Sequence, residues 1–133
     1  MNYQIEARPA EDLIIVRHFH YYSAEDLQTY LDDLTRQLRQ HSYRRLLADY
    51  SGLVEVKLNF IDKIKIIATR SRDITELSSK ARHAIVVTNA FQKAMAQQAR
   101  TISTVQTGKN VLVKARYFST HEAALEWLMH DQP

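Results

Sequence analysis

The chain has 133 residues, of which 45% are hydrophobic and 25% charged, with no cysteine and a formal net charge of +3. That length suits one domain, expected over residues 1–133, whose single core buries about two-thirds of the unfolded surface. Without Cys there is no disulfide, thiolate zinc site or cysteine nucleophile, and the polar start and lack of a long apolar run argue against a signal peptide or a membrane span. A reducing cytoplasm is therefore the expected location.

Tyr3 to Arg8 and Leu13 to Tyr22 flank the turn-forming Pro9-Ala10-Glu11-Asp12 and predict a β-hairpin. Alternation in the second arm puts Ile15, Arg17, Phe19 and Tyr21 on one face and Ile14, Val16, His18 and His20 on the other. Two adjacent His offer metal ligands, but no carboxylate or third His lies within a few residues, so they read as sheet-face histidines and no metal is expected. Ser23 then opens a helix. Ser23 and Asp26 fit a capping box, and Leu27, Tyr30, Leu31, Leu34 and Leu38 form one stripe read as core packing.

Arg45 to Tyr50, built on Leu46-Leu47-Ala48, predicts a short buried strand that stops at the polar turn Asp49-Tyr50-Ser51-Gly52, and Val54 to Leu58 reads as extended loop or the approach to a helix. Asn59 and Asp62 cap that helix. Phe60, Ile61, Ile64, Ile67 and Ala68 are expected inside, with Lys63, Lys65 and Arg70 toward water, fraying at Ser71-Arg72-Asp73 into a polar connector, Thr75 to Lys80. Ala84 to Val87 reads as a strand covered on both faces, lying beside the Asp49 strand. Asn89 caps the next helix, with Phe91, Ala94, Met95, Ile102 and Val105 on one side, Met95 as core filler and Gly108 as a stop. Val111 to Tyr117 forms an edge strand, and Ser119 with Glu122 a third capping box. Ala124, Leu125 and Leu128 face inward on the last helix, anchored by a buried Trp127.

This order predicts an α/β fold: a mixed, mostly parallel sheet with an N-terminal β-hairpin and about four helices. The carboxyl ends of parallel strands gather on one rim, where Asp49, Tyr50 and Ser51, then Thr88 and Asn89, then Ser119 and His121 are expected to converge as a candidate ligand or partner site. Each cluster equally suits a cap on its own helix. Neither G-x-x-x-x-G-K-[ST] nor G-x-G-x-x-G occurs, and no cofactor is expected. A Ser51, His121 and Asp49 triad can be assembled on that rim, but no G-x-S-x-G elbow carries Ser51, so a small hydrolase stands as an alternative. Residues 55–116 hold 12 Lys/Arg against 4 Asp/Glu, or +8, which keeps nucleic-acid binding as another alternative to solvated basic faces.

The element order resembles the STAS domain, the fold of anti-sigma-factor antagonists and of the cytoplasmic parts of sulfate transporters. More closely, it resembles the bacterial SpoIIAA-like branch. The residues carrying the likeness are Leu46-Leu47-Ala48-Asp49 with Ser51-Gly52, the segment Ala81 to Val87, and Phe118, Ala124, Trp127 and Leu128. The resemblance implies a non-enzymatic regulatory or binding domain, with no catalytic residue, that recognises a protein partner or a small apolar or amphipathic ligand between helices and sheet. In phosphoregulated members a helix-opening Asp-Ser-Ser-Gly motif carries the modified serine. Here the nearest run is Phe60-Ile61-Asp62-Lys63-Ile64, with Lys63 at that place, so the motif is absent. A homodimer is the expected assembly, since twofold pairs are the commonest soluble oligomers.

Overall fold

The structure, a computed structural model, describes residues 2–78, 81–107 and 115–130. Strand β1 (Tyr3–Arg8) turns through a short 3-10 helix (Pro9–Glu11) into β2 (Leu13–Ser23). There follow α1 (Ala24–Gln40), β3 (Arg45–Lys57), α2 (Phe60–Ser78), β4 (Arg82–Val86), α3 (Ala90–Thr107), β5 (Ala115–Phe118) and α4 (His121–Met129). The sheet order is β1-β2-β3-β4-β5, the first pair antiparallel and the others parallel. Asp12 takes the left-handed conformation the hairpin turn needs (φ 54°), and its carboxylate accepts from Arg44 Nε at 2.7 Å.

Strands β2 to β5 advance in one direction across the sheet, so right-handed crossovers place α1, α2 and α3 together on one face. The last helix has no further strand to join and packs on the other face. Alternation divides the core accordingly: Leu13, Ile15 and Leu47 meet Ala124 and Leu128 of α4, whereas Ile14, Val16 and Leu46 meet Leu34 and Leu38 of α1. Three caps are as expected. The Ser23–Asp26 capping box is closed, Asn59 Oδ1 accepts from Asp62 N at 2.8 Å, and Asn89 Oδ1 accepts from Gln92 N at 2.8 Å. On α4 the cap is Thr120, which accepts from Ala123 N at 3.1 Å; Ser119 lies one residue too early and is exposed.

Several expectations are corrected. Strand β3 does not stop at Tyr50 but runs to Lys57, so the expected turn at Ser51-Gly52 is strand, and Val54 to Lys57, expected as loop or helix approach, belongs to it as well. Strand β4 ends opposite Asp49, and beyond that point β3 is sustained by β2, which continues to Ser23. The inner face of α2 is Ile66 and Ile67, while Phe60 and Ile61 are 53% and 63% exposed and Lys63 turns inward. This helix packs against both α1 and α3, which selects a phase that single-helix periodicity does not show. It also continues through Ser71-Arg72-Asp73 to Ser78. On α3, Phe91 and Ala94 are exposed, and Gln92 and Ala96 are buried in their place. Trp127 is only partly buried, its ring stacked under Arg82 at 3.7 Å and against Phe118; the buried anchors are Ala124 and Leu128. The expectations at Lys80, the Val105 side chain, Gly108 and residues 111–114 lie outside what is described. Among the described residues no helix is long and apolar enough to cross a membrane.

Candidate functional site

Of the rim residues, Asp49, Ser51 and His121 meet in one hydrogen-bond network, and Thr88 joins it through Gln92. Asp49 Oδ1 accepts from Ser51 N at 2.9 Å and from Ser51 Oγ at 2.6 Å, while Oδ2 lies 2.9 Å from His121 Nδ1. Burial acts to raise the Asp49 pKa, but the Ser51 hydroxyl and N–H, followed by His121, hold it below its ordinary value. Both Ser51 and His121 bond to the carboxylate. A nucleophilic triad needs the serine on the histidine instead. Thr88 donates from N and Oγ1 to Gln92 Oε1, and Gln92 Nε2 donates to the carbonyls of Ser51 (3.2 Å) and Leu53 (3.1 Å). Where β4 ends, this buried amide supplies the donors that a neighbouring strand would have given to β3. Gln92 was not singled out from the sequence. Its signal was a polar residue at the fourth position after Thr88, on the helix that Asn89 caps.

Tyr50 is separated from that group by the pleat and belongs to a different site. Between the sheet and α1, α2 and α3 lies a cavity of about 150 Å³. The sheet contributes Tyr50, Leu53 and Val56, spaced by three, because two register shifts between β2 and β3 each add a residue to β3 and reverse its alternation. Val54, one of the added residues, points outward and is 73% exposed. From α1 come Leu27, Tyr30, Leu31 and Leu34, so the stripe read as core packing also walls a cavity. Lys63 and Ile67 of α2 and Met95, Ala99 and Arg100 of α3 complete much of the lining.

Gly52 makes the shift possible. A Cβ there would sit 2.9 Å from the His18 carbonyl oxygen and 3.0 Å from Phe19 Cδ1. Next to it, His20 adopts φ 52° and is exposed, so the two histidines expected side by side separate, and His18 alone turns inward. His18 is 4% exposed and packed among the rings of Tyr50, Tyr30 and Tyr22 at centroid distances of 4.5, 4.9 and 5.2 Å. Its Nδ1 lies 2.6 Å from the Tyr22 hydroxyl, and its Nε2 is buried without a partner. Burial, reinforced by the Arg100 charge, lowers its pKa to about 3. A neutral ring that accepts from Tyr22 at Nδ1 carries its proton on Nε2.

Two cations face this cavity: Lys63, expected in water, and Arg100, which the sequence reading did not single out. Lys63 Nζ reaches Gln98 Oε1 and, at 3.4 Å, Met95 Sδ on α3, and burial lowers its pKa. Arg100 donates to Ala96 O at 3.1 Å and weakly to the Tyr50 hydroxyl at 3.4 Å, with its Nε buried and unpartnered. The basic excess of 55–116 is thus divided among different surroundings: Arg100 and Lys63 toward the cavity, Arg82 on Trp127, and Arg70 Nε 3.4 Å from Asp32. Among the described residues no group of three or more His, Cys, Asp or Glu is arranged to hold a metal.

A five-stranded mixed sheet with three crossover helices on one face and the final helix on the other is an α/β fold of STAS-like architecture. More narrowly, its fold is SpoIIAA-like. No family model matches the chain, and no curated protein does. Solved structures match at low identity. The anti-sigma factor antagonist SpoIIAA in its unphosphorylated form aligns over 97% of this chain and 99% of its own, with a TM-score of 0.63 and 10% identity. An uncharacterised DUF3478-family protein with a SpoIIAA-like fold from Shewanella loihica aligns over 96% and 93%, with a TM-score of 0.60 and 18% identity. The phosphorylated form of the Bacillus cell fate determinant SpoIIAA aligns over 93% and 96%, at 0.58 and 10%. At such identities it is the fold that is shared.

Proposed function

We propose that this chain is a non-enzymatic binding module that holds a small amphipathic ligand between its sheet and α1–α3. The cavity carries the reading: it has about 150 Å³ of free space, walls that are mainly Leu, Ile, Val and Tyr, and a few inward polar groups. Apolar cavities of about this size admit benzene, so the occupant is small unless part of it projects outside. The bonding of both Ser51 and His121 to Asp49 supports a structural role for the rim over a hydrolytic one. Native mass spectrometry of protein purified from its own host tests the proposal. A small non-covalent adduct that disappears when Ala99→Leu narrows the cavity is the expected result. Only the bare chain mass, with no small molecule raising the unfolding temperature, would remove it.

A protein partner is the second reading, favoured by the exposed Phe60 and Ile61 at the start of α2. The sequence resemblance places the family's regulatory serine at that helix opening, and an apolar pair in water suits a contact surface. A second copy of this chain is one candidate partner.

A further inference from the structure

Resting on the cavity reading, the polar groups narrow the class of ligand. Arg100 remains charged at any accessible pH, yet it donates only to a carbonyl and, at 3.4 Å, to a phenol. No carboxylate among the described residues bonds it. Charges in an apolar cavity are normally paired, and buried donors normally satisfied. His18 adds a second unsatisfied position at Nε2, and Tyr50 touches both groups, through its ring toward His18 and its hydroxyl toward Arg100. Lys63 brings further positive charge to the same walls, and the aromatic and aliphatic side chains around it leave room for an apolar body of about ring size.

We infer that the cavity takes a small organic carboxylate, its head group accepting from Arg100 and His18 Nε2 and its apolar body lying among Leu53, Ile67 and Met95. A carboxylate supplies what the protein side lacks: acceptor-only oxygens matched to a planar guanidinium. An alcohol or amine of the same shape offers no such charge match.

Isothermal titration of the full chain with sodium benzoate, benzyl alcohol and benzylamine hydrochloride separates the two levels of the argument. Benzoate is expected to bind with a Kd below about 1 mM, benzyl alcohol about tenfold more weakly, and the amine not at all. Arg100→Met should weaken benzoate about tenfold or more while leaving benzyl alcohol nearly unchanged, which also shows that the variant is folded. Arg100→Lys, which keeps the charge, should fall between; if Arg100→Met does not fold, this variant and the wild-type series decide. Benzyl alcohol binding as tightly as benzoate, or benzoate indifferent to Arg100→Met, would overturn the carboxylate inference and leave the cavity reading intact. Failure of all three compounds to bind would overturn both.

Discussion

His18 Nδ1 and the Tyr22 hydroxyl are 2.6 Å apart although both residues lie on β2 with three others between them. Four residues of regular strand cover about 13 Å, so this contact depends on the local bend where the register shifts and His20 leaves the extended region. That bend pivots on the close approach of Gly52 to His18. Gly52→Ala is expected to cost about 1–3 kcal/mol, as overpacking against backbone does. The midpoint of denaturant unfolding measures it, and a loss under about 0.5 kcal/mol would mean that the strands give way freely.

Buried His18 makes stability depend on acid. Its folded pKa, about 3, lies below the ordinary value of 6.5, so between these values the unfolded chain binds the extra proton. Its contribution is therefore intact above pH 6.5 and lost progressively toward pH 3, with a slope approaching about 1.4 kcal/mol per pH unit. NMR of the imidazole carbons should show no titration of His18 from pH 8 to 5. A midpoint near 6 would contradict its sealed environment.

The Asp49 network predicts an order among substitutions at Ser51. Ser51→Ala should cost about 1 kcal/mol by removing the 2.6 Å hydrogen bond, and Ser51→Asp more, since it sets a second carboxylate beside Asp49. Ligand binding should survive both, because this network belongs to the rim and does not line the cavity. Titrating a cavity ligand against the two variants checks this; a tenfold loss with Ser51→Ala would join the two sites.

Trp127 is half-buried and stacked on Arg82. Trp127→Ala should thus cost about 2–3 kcal/mol, below the 3–5 typical of a fully enclosed aromatic. Leu128→Ala should cost at least as much, and chemical denaturation of the two variants ranks them. A Trp127 loss exceeding that of Leu128 by more than about 1 kcal/mol would restore tryptophan as the anchor of α4.

Ala99 lines the cavity from α3, and a larger side chain there fills space without replacing a packed group. Ala99→Leu is expected to abolish small-molecule binding while changing stability by no more than about 1 kcal/mol in either direction. Calorimetry with benzoate and a thermal melt of the same variant test the two halves separately.

The elements and their order are legible from local signals: caps at Ser23, Asn59 and Asn89 and apolar runs at Ile14 and Ala84 mark the helices and strands, and their alternation implies a parallel sheet. The same locality explains what was not legible. Polarity alone ends β3 at Tyr50, but strand length is set by the pairing partner, and β2 carries β3 seven residues further, to Lys57. Register shifts then reversed the alternation of β3, bringing Tyr50, Leu53 and Val56 to one side, while the left-handed backbone of His20 on β2 separated it from His18. The inward turn of Lys63 and Arg100 likewise arises only where three helices meet above the sheet. A cavity is a property of surfaces that fail to fill the space between them, so it is decided by tertiary packing and leaves no periodic trace in the chain.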